Sequence, residues 1–156
     1  MDLFLIRHAE AENSAATDLA RELTARGRVQ AERLAAVFER LGVRLDVVVS
    51  SPYVRARQTA DILIAGLADP KPAVVICDEI GLQVRPKEVM QFVKDLKKIS
   101  VALVAHQPGM CRLAAWLIGS KKAQLDLDKA GFAWITCADL EKAGGVLRWL
   151  VTPEWY

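Results

Sequence analysis

Residues 1–10 read Met1-Asp2-Leu3-Phe4-Leu5-Ile6-Arg7-His8-Ala9-Glu10 (MDLFLIRHAE), and the placement of the Arg7-His8 pair decides how the rest of the chain is read. Leu3 to Ile6 is a short apolar run of the kind that forms a buried strand, and a guanidinium beside an imidazole is a costly way to end one unless the pair faces a ligand. Strand neighbours point to opposite faces, so both side chains can serve one site only if the backbone turns at the strand's end.

Further along the 156-residue chain, apolar runs alternate with segments of helical periodicity. Asp46 to Val49, Ala73 to Ile76 and Val101 to Ala105 read as strands two to four. Between them, Thr24 caps a helix from Ala25 carrying Val29, Leu34, Val37, Phe38 and Leu41, with Gly42 at its end. Pro52 opens a second helix through about Leu67, with Ala56, Ala60, Leu63 and Ile64 inward; Pro86 starts a third, and Met110 to Ile118 forms a fourth. Phe132 to Ala138 and Val146 to Val151 read as two strands joined through Gly144-Gly145. The alternation predicts one α/β domain over 1–156, three layers with a mostly parallel central sheet and antiparallel edges from the last pair.

Each predicted strand is followed by polar chemistry: Arg7-His8 after the first, Ser50-Ser51-Pro52 and then Arg55 after the second, Asp78-Glu79 after the third, His106 after the fourth. In open α/β sheets ligands bind at the carboxyl ends of parallel strands. Two guanidinium forks and two imidazoles gathered there suit a tetrahedral phosphate dianion, and a neutral imidazole is also a competent nucleophile.

Composition excludes several classes. The formal net charge of +2 gives no polybasic patch for nucleic acid or membrane. The first apolar run is too short, and its flanks wrong, for a signal peptide or a membrane span. Cys77, Cys111 and Cys137 make an odd count without C-x-x-C spacing, which fits free thiols and a cytoplasmic protein. No Cys has an Arg six positions on, no phosphate-binding glycine loop occurs, and two histidines are a poor metal set, so no metal and no cofactor is expected. Trp116, Trp134, Trp149 and Trp155 read as core or edge packing. The sequence sets no oligomeric state.

Leu5-Ile6-Arg7-His8-Ala9-Glu10 resembles the R-H-G/A signature of the histidine phosphatase superfamily, and Ser51-Pro52-Tyr53-Val54-Arg55-Ala56-Arg57-Gln58-Thr59 resembles its S-x-x-x-R-x-x-Q-T motif. His106 in Val104-Ala105-His106-Gln107-Pro108 matches the later family histidine, and Asp18 to Thr24 with Gly27 resembles the R-x-L-T-x-x-G stretch. A compact chain without long insertions is most similar to the SixA-type phosphohistidine phosphatases.

That resemblance implies a phosphoglycerate mutase-like fold and a metal-independent phosphatase. His8 would be the nucleophile, neutral, with its other nitrogen on a backbone carbonyl. Arg7, Arg55 and His106 would hold the phosphoryl oxygens, His106 preferably as a cation, and Arg21 would touch phosphate from the rim beside Asp18. In relatives acting on alcohol esters an acid follows the third strand, which makes Glu79 the candidate proton donor, with Glu10, Glu12 and Asp18 as other acids near the first motif. An imidazole leaving group, with a reference pKa of about 6.5, relaxes that demand. The implied substrate is a phosphorylated protein carrying phosphohistidine. A small phosphoester, or a binding module without turnover, is the alternative. Ala9, where the family usually has Gly, keeps the small-residue character.

Overall fold

In the computed structural model, which describes residues 1–156, strand β1 (Asp2–Arg7) sends alternate side chains into two separate cores. Leu3 and Leu5 pack on one face of the sheet, Phe4 and Ile6 on the other, all four buried. This period-2 partition explains why the run is apolar throughout: a strand covered on both faces has no solvent side.

The sheet has six strands in the order β3-β2-β4-β1-β5-β6, with β2 at Val47–Ser50, β3 at Ala73–Ile76, β4 at Ser100–Ala105, β5 at Phe132–Cys137 and β6 at Gly145–Val151. Strands β1 to β4 are parallel; β5 pairs antiparallel with β1, and β6 with β5. The last pair therefore adds the antiparallel edge, as the sequence pattern predicts. Both faces are layered: α1 (Ala25–Arg40) and α2 (Val54–Ala65) cover the Phe4 face, α3 (Pro86–Asp95) and α4 (Gly109–Leu117) the Leu3 face. Phe38 of α1 wedges between Phe4 and Phe132, at ring separations of 5.2 and 5.1 Å.

Strands β1 and β4 are hydrogen-bonded neighbours at the centre of the sheet, yet the chain leaves β1 toward the α1 face and leaves β4 toward the α4 face. Adjacent parallel strands whose connections diverge leave a crevice beyond their carboxyl ends. His8 and His106 follow those two strand ends directly.

Three local expectations are corrected. Pro52 is not the first helical residue: Ser51 N–H still donates to Val104 O, holding the chain extended past β2, and α2 begins at Val54. It also ends at Ala65, short of Leu67. On α1, Val29 is 46% exposed and Leu41 39%. The buried stripe runs through Gly27, Ala31, Leu34, Ala35 and Phe38, and Val29, two residues from Ala31, lies roughly 200° around the helix from it. Strand β3 spans the expected Ala73–Ile76 and forms a largely exposed edge of the sheet. Thr24 caps α1 as expected, its Oγ1 accepting from Gly27 N–H at 2.9 Å, and Gly42 closes it at φ +67°. No helix is long and apolar enough to cross a membrane.

Candidate active site

The motif residues build a cleft of about 360 Å³ at the crevice, and Arg7, His8, Asp18, Arg21, Arg55, His106, Gln107 and Lys129 are among its lining. Strand β1's pairing continues one step beyond Arg7, because His8 N–H donates to Ala105 O at 2.9 Å. The carbonyls of Arg7 and His8 both take the N–H of Ala130, at 3.1 and 3.3 Å. Ala130 holds a left-handed backbone (φ +65°), strained for a residue with a Cβ, and Tyr156 Oη donates to its carbonyl at 2.7 Å.

The loop after His8 is tied down from two sides. Ala9 N–H donates to Thr59 Oγ1 at 3.1 Å, and that hydroxyl donates onward to Arg55 O at 2.7 Å. Glu10 N–H donates to Gln30 Oε1 at 2.9 Å, while Glu10 O accepts from Thr24 N–H at 3.0 Å. Gly27 rests against this same backbone: a Cβ there would lie 1.9 Å from Glu10 O. The threonine and glycine of the T-x-x-G stretch thus brace the loop after His8 rather than touch a ligand. Ala9 is fully buried at ordinary negative φ, so its methyl is accommodated.

His8 Nδ1 lies 2.7 Å from Ala9 O. A carbonyl only accepts, so the proton is on Nδ1 and Nε2 carries the lone pair. Nε2 faces Arg55, whose Nε–H donates to it at 3.2 Å. Burial, then the cations Arg55, Arg7 and Arg21, push the His8 pKa down to about 4 against the hydrogen bond to Ala9, leaving the ring neutral at physiological pH.

Arg55 is 2% exposed and heavily engaged. Besides His8, it donates through Nη1 to Asp18 O at 2.7 Å and through Nη2 to Asp18 Oδ2 at 3.2 Å. Arg21 holds the other Asp18 oxygen at 2.8 Å through Nε and reaches Glu12 O through Nη1. Against the opposing effect of desolvation, the two guanidinium groups hold the Asp18 carboxyl below its usual range, so it is ionised. Arg7 Nη1 donates to Leu127 O at 2.9 Å.

His106, 2% exposed, has its Nε2 2.7 Å from Ser51 Oγ. Burial, then His8 and Arg55, push its pKa down to about 3. The expectation of a cationic His106 is therefore corrected for the free site: it is neutral. Its Nδ1, together with Arg7 Nε and Gln107 Oε1, is a buried polar atom without a partner. All three belong to residues lining the cleft, and buried polar groups left unpaired cost enough that each calls for an explanation.

Glu79 is not among the side chains gathered here. It lies exposed, with its carboxylate accepting the Cys77 thiol at 3.2 Å, a contact that helps burial push that thiol up to about 12. Glu10 turns to Thr24, with Arg26 and Lys129 at 3.7 and 3.8 Å. The sequence reading passes over Ser51, Thr59, Gln107 and Lys129 as site residues. Ser51 and Thr59 stand in the quoted motif and Gln107 adjoins His106, whereas nothing local marks Lys129. No three His, Cys, Asp or Glu side chains come together as a metal-binding group.

Comparison with known proteins agrees with this geometry. The sequence model of the histidine phosphatase superfamily (branch 1) matches residues 3–80. The phosphohistidine phosphatase SixA of Escherichia coli K12 is 26% identical over 159 residues, covering 98% of this chain and 94% of that protein. The mitochondrial serine/threonine-protein phosphatase Pgam5 of Drosophila ananassae is 33% identical over 110 residues, 64% of this chain but only 38% of that longer protein. Among solved structures, the protein histidine phosphatase SixA complexed with tungstate superposes with a TM-score of 0.86 at 25% identity, over 98% of this chain and 97% of that one. The chain belongs to the histidine phosphatase superfamily, resembles SixA in fold and extent, and is a phosphatase.

Proposed function

We propose that the protein hydrolyses phosphohistidine on a phosphorylated protein, through a phosphoryl-enzyme intermediate on His8. The observation that carries this reading is the fixed tautomer of His8: Nδ1–H is tied to Ala9 O, and a neutral Nε2 faces the cleft between cationic groups.

In the first step Nε2 attacks phosphorus in line. The Nε2–P bond forms as the P–N bond to the substrate imidazole breaks, and that bond's electron pair leaves with the ring. Arg7, Arg55 and His106 receive the equatorial oxygens, where the negative charge spreads. In this reading the neutral His106 serves as a donor in the tautomer that carries its proton on Nδ1, the nitrogen without a protein partner, and accepts from the Ser51 hydroxyl at Nε2, 2.7 Å away. In the second step water attacks the phosphorus, the Nε2–P bond breaks, and inorganic phosphate leaves with the proton passing to solvent.

The leaving group is what favours phosphohistidine over an alcohol ester. An alkoxide needs a proton from the enzyme, but Asp18 is held ionised by two arginines and Glu79 is engaged by Cys77. An imidazole protonated at its distal nitrogen departs as a neutral base. The similarity to SixA, a protein histidine phosphatase whose structure was solved with tungstate, a tetrahedral oxyanion, supports the same reading.

The test compares phosphate release from a phosphohistidine-bearing phosphotransfer protein, a phosphoserine peptide and small phosphomonoesters, each with wild type and His8→Ala. Turnover of the phosphohistidine protein by wild type alone is expected. A higher kcat/KM on the small esters would favour the phosphomonoesterase alternative, and release by His8→Ala equal to wild type would overturn the mechanism.

A further inference from the structure

Tyr53 precedes α2 and belongs to none of the groups that face the phosphate cleft, yet its ring touches two that do. The Arg55 guanidinium carbon lies 4.6 Å from the Tyr53 ring centroid, over its face. The His106 ring packs against Tyr53 at 4.7 Å between centroids, with the planes 69° apart, an edge-to-face contact. Arg55 and His106 come from different elements, α2 and the end of β4, and Tyr53 joins them. Its backbone is fixed as well, since Tyr53 O accepts from both Ala56 and Arg57 N–H at the start of α2.

We propose that Tyr53 is a positioning residue that holds the Arg55 guanidinium and the His106 ring in register for one phosphoryl group. This rests on the reading of Arg55 and His106 as its oxygen ligands. The physical advantage of an aromatic face is that it attracts the cation without consuming an N–H. A guanidinium donates in its own plane, and Arg55 already commits Nε to His8 and two further N–H groups to Asp18. When Nε releases His8 for attack, those in-plane donors must re-sort onto phosphate oxygens while the group stays in place. A hydrogen-bonding partner in the position of Tyr53 would compete for the same donors, whereas a π face does not. The edge-to-face contact restrains the His106 ring, leaving Ser51 and the oxyanion to its two nitrogens.

Tungstate, a tetrahedral oxyanion, serves as the probe, with affinity measured by calorimetry on the whole chain alongside kcat/KM for phosphohistidine. Tyr53→Phe keeps the ring and is expected within about twofold of wild type in both. Tyr53→Leu, and Tyr53→Met with its longer, unbranched side chain, are expected to weaken tungstate binding and kcat/KM by about tenfold, the scale of a partly desolvated cation–π contact. Melting temperature reports packing separately. Wild-type tungstate affinity and kcat/KM in folded Tyr53→Leu or Tyr53→Met would overturn the proposal, as would Tyr53→Phe falling as far as Tyr53→Leu. Failure of the wild type to bind tungstate would instead overturn the assignment of the oxyanion site itself, and this proposal with it.

Discussion

Arg55 Nε lies 3.2 Å from His8 Nε2, so a guanidinium N–H occupies the lone pair that must reach phosphorus. The nucleophile is thereby kept oriented and unprotonated until a phosphoryl group offers Arg55 better acceptors. Arg55→Ala is expected to lower kcat/KM on the order of 10²- to 10³-fold, as for loss of a principal oxyanion donor. It should also let the His8 pKa rise from about 4, because the Arg55 charge is one of the causes of its depression. Steady-state kinetics and NMR titration of the ring check the two effects; an unmoved His8 titration would contradict the coupling.

Ser51 Oγ is the protein partner of His106 Nε2 in a fully buried position. Ser51→Ala leaves that nitrogen unpaired, a loss of about 1–3 kcal/mol. The expected result is a lower melting temperature together with a roughly tenfold drop in kcat/KM, measured on the purified variant. Turnover equal to wild type would show that Ser51 does not orient His106.

Glu79→Gln separates the two sources of the leaving-group proton. With its carboxylate exposed and taken by Cys77, its removal is expected to change phosphohistidine turnover by less than about twofold, an imidazole needing no strong enzyme acid. A loss of two orders of magnitude would instead identify Glu79 as the acid.

Stability of the ligand-free protein should fall on mild acidification. His8 and His106 have folded pKa values near 4 and 3, below the ordinary 6.5. Between those limits the unfolded chain binds protons that the folded one does not, so stability is complete above pH 6.5 and is lost as pH drops from there toward the folded values. Each histidine adds a slope of up to about 1.4 kcal/mol per pH unit. Thermal melts of wild type, His8→Asn and His106→Asn between pH 7.5 and 4.5 should show a shallower decline in the variants.

Gly27→Ala tests the brace beneath the nucleophile. Its Cβ would meet Glu10 O at 1.9 Å, an overpacking that costs roughly 1–3 kcal/mol, and the displaced loop should lower kcat as well as melting temperature. Unchanged kcat would dissociate the α1 start from the geometry at His8.

The sequence by itself determined the strand-helix alternation, the caps at Thr24 and Gly42, and the set of groups at the strand ends, Arg7, His8, Arg55 and His106. These are local signals: periodicity is set by backbone geometry, and unusual polar residues stand out against apolar runs. Tertiary structure decided which of them meet and in what state. The β4–β1 adjacency that opens the crevice is a choice of strand order, invisible to any local window. The expected cationic His106 became neutral because burial and neighbouring charge act through space, and Glu79 was drawn to Cys77, two residues away, rather than to the cleft. The R-H pair at the head of the chain announced phosphate chemistry. The Ala9 carbonyl that fixes its tautomer, and the Ala130 N–H that seats its backbone from the far end of the sequence, required the folded molecule.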